Sequence, residues 1–411
     1  MLINFKTKNF CSFKEEAVFS LKPGKVTKRF ENNVINIKDK IKISKFAVIV
    51  GENAGGKTSF IKAIHFFKTL ICSDGYIRSI KSFCYNFDDN IPQSFEISAL
   101  VDEKIYTYSL EIDSLYILSE KLYVRSYSQP EAKNQYIFKS IRTNCKKDLT
   151  DSNHILSEES DLDINDKLIP REFQFLSKNG ESSKLKSKSS IFLKILYTLN
   201  APIIKPFYDW IHNNLIVDIS KIKDNDLNIY KDILESERRI EILKKPEFLD
   251  IFKLVDSSIV GIEIDEKYPF TDTKIVRRMK DNSSLIIKLS HDSTGVIAFF
   301  SWGIQLWKVI YEDATLFADE MDDVLNVILA SKIINYMKAN VQYGQFIFST
   351  HNIFHLNTID YMKEQLFFIG KNVDTLSSEL YTLADFKEYS YEQPEVYNLY
   401  LKGLLGATPN E

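Results

Sequence analysis

The chain has 411 residues, which at about 150 residues per domain leaves room for two to three domains and for a large core. Hydrophobic residues make up 44% and charged residues 27%, values that exclude wholesale disorder, a collagen-like repeat and a chain that is coiled coil alone. With 53 basic against 56 acidic side chains the net charge is −3, so any contact with nucleic acid has to rest on a local patch rather than on global charge.

From residue 1 to 156 the pattern is mostly strand-like, with alternating runs at 94–100 and 105–110 and one helix beginning at Lys57. This stretch is expected to form a first lobe. Its opening, Met1-Leu2-Ile3-Asn4-Phe5-Lys6, lacks a charged leader followed by an apolar run and a cleavage site, so a cytoplasmic location is expected. All four cysteines (Cys11, Cys72, Cys84, Cys145) lie in this lobe without a CxxC pair or a nearby histidine, and read as reduced structural thiols. A polar run at 158–166 and a Ser/Lys run at 177–190 flank the short apolar piece 173–176 and mark the best domain seam. Residues 157–255 read as a helical insertion, a candidate partner or dimer surface, because Ile229, Ile233, Leu234, Ile240 and Leu243 recur at helical spacing before Pro246. From 256 to 411 strands are expected at 261–264, 284–289, 315–318 and 346–348. A buried helix at 295–310 and an amphipathic helix carrying Val324, Leu325, Val327, Ile328, Ile334 and Met337 stand between them. Strands alternating with helices of this length imply a parallel α/β sheet. The longest apolar run, 296–310, is too short and too interrupted to span a bilayer, so no membrane partner is expected.

The strongest chemical signal is Gly51-Glu52-Asn53-Ala54-Gly55-Gly56-Lys57-Thr58, a full match to GxxxxGK(S/T), with a buried-strand run at 46–50 before it and a helix from Ser59 after it. Glycines let such a loop curl its N–H groups toward phosphate oxygens at a helix N-terminus. Lys57 is then expected on the β- and γ-phosphates of ATP and the Thr58 hydroxyl on Mg²⁺. An apolar strand ending in Asp319-Glu320 supplies a second ligand for the metal in Asp319 and a group to polarise the attacking water in Glu320, although acids also end strands simply by meeting solvent. His351 follows the strand at 346–348, and in a parallel sheet Lys57, Asp319 and His351 should all emerge at the carboxyl ends where ligands sit. On spacing alone a lone histidine there is more often only a polar cap. Ser293, Thr294 and Gly295 open the buried helix, either as a helix cap or as an anion site. Lys274, Arg277, Arg278 and Lys280 form a basic patch that reads first as a solvated face and only secondarily as a nucleic-acid contact.

These residues resemble the ATP-binding-cassette type ATPases of the SMC, OLD and RloA-like group, an AAA family found in abortive-infection and anti-phage loci. The opening 1–5, the element Lys8-Asn9-Phe10-Cys11-Ser12-Phe13 and the loop 51–58 are similar to its N-terminal lobe. Ser293 to Gly295 fall where its signature helix begins, Asp319-Glu320 match its Walker B, and Ser349-Thr350-His351 resemble its histidine switch. The segments 379–386, 400–403 and 406–409 are similar to the RloA-like branch. The middle, 157–255, is not covered. The resemblance implies a P-loop NTPase of ABC-head architecture, with a mixed-sheet N-terminal lobe, a parallel core sheet and a helical insertion. It implies a head-to-tail homodimer with ATP and Mg²⁺ between the Walker A of one subunit (Gly51, Asn53, Ala54, Gly55, Gly56, Lys57, Thr58, Ser59) and Ser293 and Gly295 of the other. Glu320 and His351 would be catalytic, with Thr58 and Asp319 on the metal. The sequence departs from the group's pattern at Cys11, where an arginine is usual, at Val296, where threonine is common, and in 321–326, which lacks the His-Pro of the group. The chain closes shortly after the ATPase motifs, so any cutting or killing activity is expected in a separately encoded effector such as a nuclease. Two other readings stand beside a sensor ATPase of that kind: a nucleotide-dependent scaffold with little turnover, and a DNA-engaging SMC-like repair ATPase. The latter calls for a long heptad arm, which Pro202, Pro206 and Pro246 break up.

Overall fold

A computed structural model describes residues 1–73, 83–85, 91–113, 117–128, 133–143, 159–165, 167–169, 191–218, 233–323, 326–389, 391 and 396–408. Cys145, Ile229, Val324, Leu325 and the runs 173–176 and 177–190 lie outside the described residues. In chain order the strands are β1 (Leu2–Lys8), β2 (Ala17–Ser20), β3 (Val34–Ile37), β4 (Ile41–Ser44), β5 (Phe46–Gly51), β6 (Gln93–Val101), β7 (Lys104–Ile112), β8 (Ile117–Ser126) and β9 (Gln135–Thr143). They continue as β10 (Glu159–Ile164), β11 (Leu215–Asp218), β12 (Ile259–Glu263), β13 (Lys274–Arg278), β14 (Ser284–Lys288), β15 (Thr315–Ala318), β16 (Gln345–Ser349), β17 (Leu366–Lys371) and β18 (Ser378–Thr382). The α-helices are α1 (Lys57–Cys72), α2 (Phe192–Thr198), α3 (Lys205–Asp209), α4 (Ile233–Leu243), α5 (Pro246–Phe252), α6 (Thr294–Tyr311), α7 (Val327–Asn340) and α8 (Val396–Leu401).

Two large sheets organise the molecule. One has the order β10-β9-β8-β7-β6-β1-β2, and every pairing in it is antiparallel. The other, β11-β15-β16-β5-β17-β18, is parallel except for β18 at its edge, so the mixed pairing occurs here rather than in the first lobe. All six residues of β5 are buried, as a central parallel strand covered on both faces requires.

Alternation along the core strands assigns their side chains to two cores. Ala47, Ile49, Phe317, Ile347, Phe367 and Ile369 pack into the core shared with α1 and the antiparallel sheet. Phe46, Val48, Val50, Leu316, Phe346, Phe348, Leu366 and Phe368 pack into the core shared with α6 and α7. The expected buried helix is α6, apolar around most of its circumference, with Phe299 and Phe300 fully buried. Phe300 meets Phe248 of α5 edge to face, ring centroids 5.5 Å apart.

Residues 157–255 depart from the purely helical expectation. They contain α2 to α5, but β10 extends the antiparallel sheet and β11 pairs in parallel with β15. The segment is therefore woven into both sheets. Likewise β5, from the first third of the chain, belongs to the sheet built mainly by the last third, so the three stretches are interleaved.

Two buried glutamines join the layers. The Gln345 side chain accepts from the Leu2 N–H (2.6 Å) and the Thr315 hydroxyl (2.9 Å) and donates to the carbonyls of Leu2 (2.9 Å) and Ser44 (3.2 Å). Gln365 accepts from Asn33 (3.0 Å) and the Met362 N–H (2.9 Å) and donates to the Phe46 carbonyl (2.9 Å). Removing a partner from a buried group costs its full desolvation. Gln345→Leu should therefore lower stability by about 3 kcal/mol. Trp302 lies against Phe346 at 5.8 Å, so urea titration of tryptophan fluorescence reads this region; an unchanged midpoint would mean that the network contributes nothing.

Candidate functional site

β5 delivers the chain to the loop 51–56, and α1 begins at Lys57. Gly56 has φ +120°, closed to side chains, and a Cβ there would lie 2.3 Å from Ser378 Oγ and 2.8 Å from Ser12 Oγ. A Cβ on Gly51 would meet the Ile369 carbonyl oxygen at 2.1 Å. The glycines thus serve curvature and close approach together. Ser378 donates its hydroxyl to the Gly55 carbonyl (2.6 Å), and its N–H bonds the Ser12 carbonyl (2.7 Å), so β18 and the loop after β1 brace the turn. Cys11, in that loop, has φ +50° and donates its N–H to the Phe83 carbonyl. Cys11, Cys72 and Cys84 are thiols and not disulfides, as expected.

Lys57 is 5% exposed and donates to the carbonyls of Gly51 (2.8 Å) and Glu52 (3.0 Å), which curl the loop around its ammonium. Burial pushes its pKa below the ordinary lysine value, against the opposing pull of the carboxylates of Asp319, Glu320, Glu52 and Asp322. Asn53, Ala54 and Thr58 are exposed at the rim, Ala54 with φ +60°, and Ser59 is half-buried.

Asp319 and Glu320 leave the end of β15, and His351 leaves the end of β16. The pairing of Ala318 with Phe348 brings the two exits side by side. Ser349 bridges them: its hydroxyl donates to Asp319 Oδ1 (2.6 Å) and accepts from the Glu320 N–H (2.7 Å). Glu320 sits at φ +47°, an uncommon backbone for a non-glycine residue, and its Oε1 lies 3.9 Å from His351 Nε2. The Asp322 carboxylate accepts from the Thr350 hydroxyl at 2.7 Å and from the His351 N–H at 2.6 Å. Lys57, Asp319, Glu320 and His351 therefore converge at the carboxyl ends of adjacent parallel strands, as their sequence positions predict.

Ser293 and Gly295 lie elsewhere. α6 covers the face of the core sheet opposite α1, and among the described residues no hydrogen bond or ion pair links them to the loop at 51–58. Ser293 is the N-cap of α6, its side chain accepting from the Val296 N–H at 3.4 Å. Both residues are exposed, and a Cβ on Gly295 would meet nothing within 4 Å. In the basic patch Lys274 pairs with Glu263 (3.2 Å) and Arg277 with Asp256 (3.4 Å) and Asp292 (2.9 Å), which neutralises much of its charge within the chain. A cavity of about 840 Å³ lined by Asp102, Asp209, Trp210, Asp313 and Tyr343 lies at the amino ends of the core strands, the pole opposite the converging residues. Among the described residues no helix is long and apolar enough to cross a membrane.

Sequence reading quoted Ser12 and Ser349 only as members of motifs and assigned no role to Asp322 or Ser378. The adjacency of Asp319 and Ser349 becomes readable once β15 and β16 are known to be neighbours; Ser378 gives no local signal at all.

A family model described as "AAA domain, putative AbiEii toxin, Type IV TA system" matches residues 46–357, more than half of the chain and all of the converging residues. The chain belongs to this AAA domain family. Among solved structures it is similar to an SMC head bound to the C-terminal winged-helix domain of ScpA (14% identity, TM-score 0.46, 93% of this chain and 97% of that one). It is also similar to the SMC head domain of Thermotoga maritima (13% identity, TM-score 0.39, 93% and 98%). A third is an SMC head with an extended coiled coil bound to the C-terminal domain of ScpA from Pyrococcus furiosus (15% identity, TM-score 0.42, 98% and 99%). Among curated proteins, no sequence match was found.

Proposed function

We propose that this chain is an ATPase that binds Mg-ATP at the loop 51–58, hydrolyses it slowly, and closes as a homodimer whose nucleotide state controls a separately encoded effector, such as a nuclease or toxin, in anti-phage abortive infection. The observation that carries the enzymatic part is the convergence of Lys57, Asp319, Glu320 and His351 on the open ends of β5, β15 and β16. Lys57 turns its ammonium from the carbonyls of Gly51 and Glu52 to phosphate oxygens, and the N–H groups of 55–58 add their dipoles. The Thr58 hydroxyl and the Asp319 carboxylate would hold Mg²⁺, which when bound supplies charge neutralisation at the β- and γ-phosphates. Glu320 orients a water and draws off its proton as the water oxygen bonds to the γ-phosphorus and the bond to the ADP oxygen breaks. His351, beside Glu320, donates toward the γ-phosphate. The family description, which names a putative toxin of a toxin–antitoxin system, supports a place in such a system; the separate effector and the cytoplasmic placement extend that reading. Phosphate release from Mg-ATP by the purified chain tests the enzymatic reading, and nucleotide binding without any release would favour the scaffold reading instead.

Dimer closure has its own test. Because Gly295 is exposed and a side chain there fits the monomer, Gly295→Trp should leave ATP binding intact yet abolish association driven by a non-hydrolysable ATP analogue. Sedimentation velocity with and without the analogue reads this. Undiminished association would leave Ser293 to Gly295 as a helix cap only.

A further inference from the structure

The loop after β15 is fastened to the end of β16 and the residues after it at three consecutive positions. Ser349 holds Asp319 and the Glu320 N–H, Thr350 donates to Asp322 at 2.7 Å, and the His351 N–H donates to Asp322 at 2.6 Å. Thr350 is fully buried, and its hydroxyl also accepts from the Asn352 N–H at 2.9 Å, so the Asp322 carboxylate grips a rigid piece of backbone. The His351 side chain is 45% exposed and its recorded polar contact is Glu320 Oε1 at 3.9 Å. An imidazole so little packed is placed mainly by its backbone, and that backbone is held by Asp322. Hydrogen bonds to an ionised acceptor are the strong class, about twice a neutral pair.

We propose that Asp322 is a positioning residue that, by holding the His351 backbone, sets the separation of the His351 imidazole from Glu320. The inference rests on the ATPase reading above.

Two measurements on Asp322→Ala, with Asp322→Asn as the milder variant that keeps one acceptor oxygen, test this. Hydrogen exchange of the peptide covering 349–356 should speed up at the His351 amide by about tenfold or more, while the amides of β16 stay protected. In steady-state assays kcat should fall by about 10- to 100-fold with KM within about twofold, Asp322→Asn lying between. The double variant with His351→Ala should be no slower than His351→Ala alone. Unchanged exchange at His351, or multiplicative losses in the double variant, would overturn the proposal. A wild-type protein with no turnover counts against the ATPase reading, and the exchange result then decides the Asp322 clamp by itself.

Discussion

Lys57→Ala should lower ATP affinity by about a hundredfold or more, the scale expected when a charge-assisted contact to phosphate is removed from a water-poor loop. Lys57 is buried, its ammonium is wrapped by the carbonyls of Gly51 and Glu52, and its charge faces the carboxylates of Asp319 and Glu320. In the proposed reading a triphosphate replaces the carbonyls of Gly51 and Glu52 as its partner. Alanine also removes two internal hydrogen bonds, so circular dichroism has to confirm that the fold persists. Equal affinity in wild type and variant, measured by calorimetry, would remove the nucleotide assignment. The pH dependence carries a sign as well. Binding uses the protonated ammonium, and burial lowers the pKa of Lys57, so ATP affinity should begin to fall at a lower alkaline pH than an ordinary lysine would give, with the fall absent in Lys57→Ala.

Glu320→Gln is expected to reduce kcat by about 10²- to 10⁴-fold while ATP binding survives, the range typical for loss of a general base. Glutamine keeps the shape of the side chain, the φ +47° turn and the N–H bond to Ser349, so the change removes proton acceptance and the carboxylate charge that faces Lys57 and His351. With ATP the variant should then accumulate as the closed dimer, visible in the same sedimentation experiment as Gly295→Trp. Turnover equal to wild type would require another residue to orient the water.

Much of this site was legible because its parts are local. A six-residue buried strand, a glycine loop and a helix follow one another in 46–72, and each short run ending in Asp319-Glu320 or His351 is a buried strand with polar residues at its exit. Other parts depend on neighbours distant in the chain. β11 offers only four residues, one of them buried, inside a segment otherwise read as helical, and it becomes a strand by pairing with β15 about a hundred residues later. β10 carries Glu159, Asp161 and Asp163 and looks like a solvated run; it is a strand because β9 gives it a partner. Asp322 is unremarkable in its own sequence window and Ser349 there only opens the histidine motif; their contacts appear only where two strand exits meet.

The position of β5 has a consequence for the birth of the protein. Its hydrogen-bonded neighbours are β16 and β17, whose residues follow it by roughly three hundred positions, so the glycine loop emerges from the ribosome long before the strands that flank β5. A nascent chain carrying the first three hundred residues has the phosphate motif yet lacks the strands that flank it. Nucleotide capture is thereby deferred until β16 and β17 have emerged, and ribosome-stalled chains ending at 340 should fail to retain ATP where chains stalled with residue 408 exposed succeed.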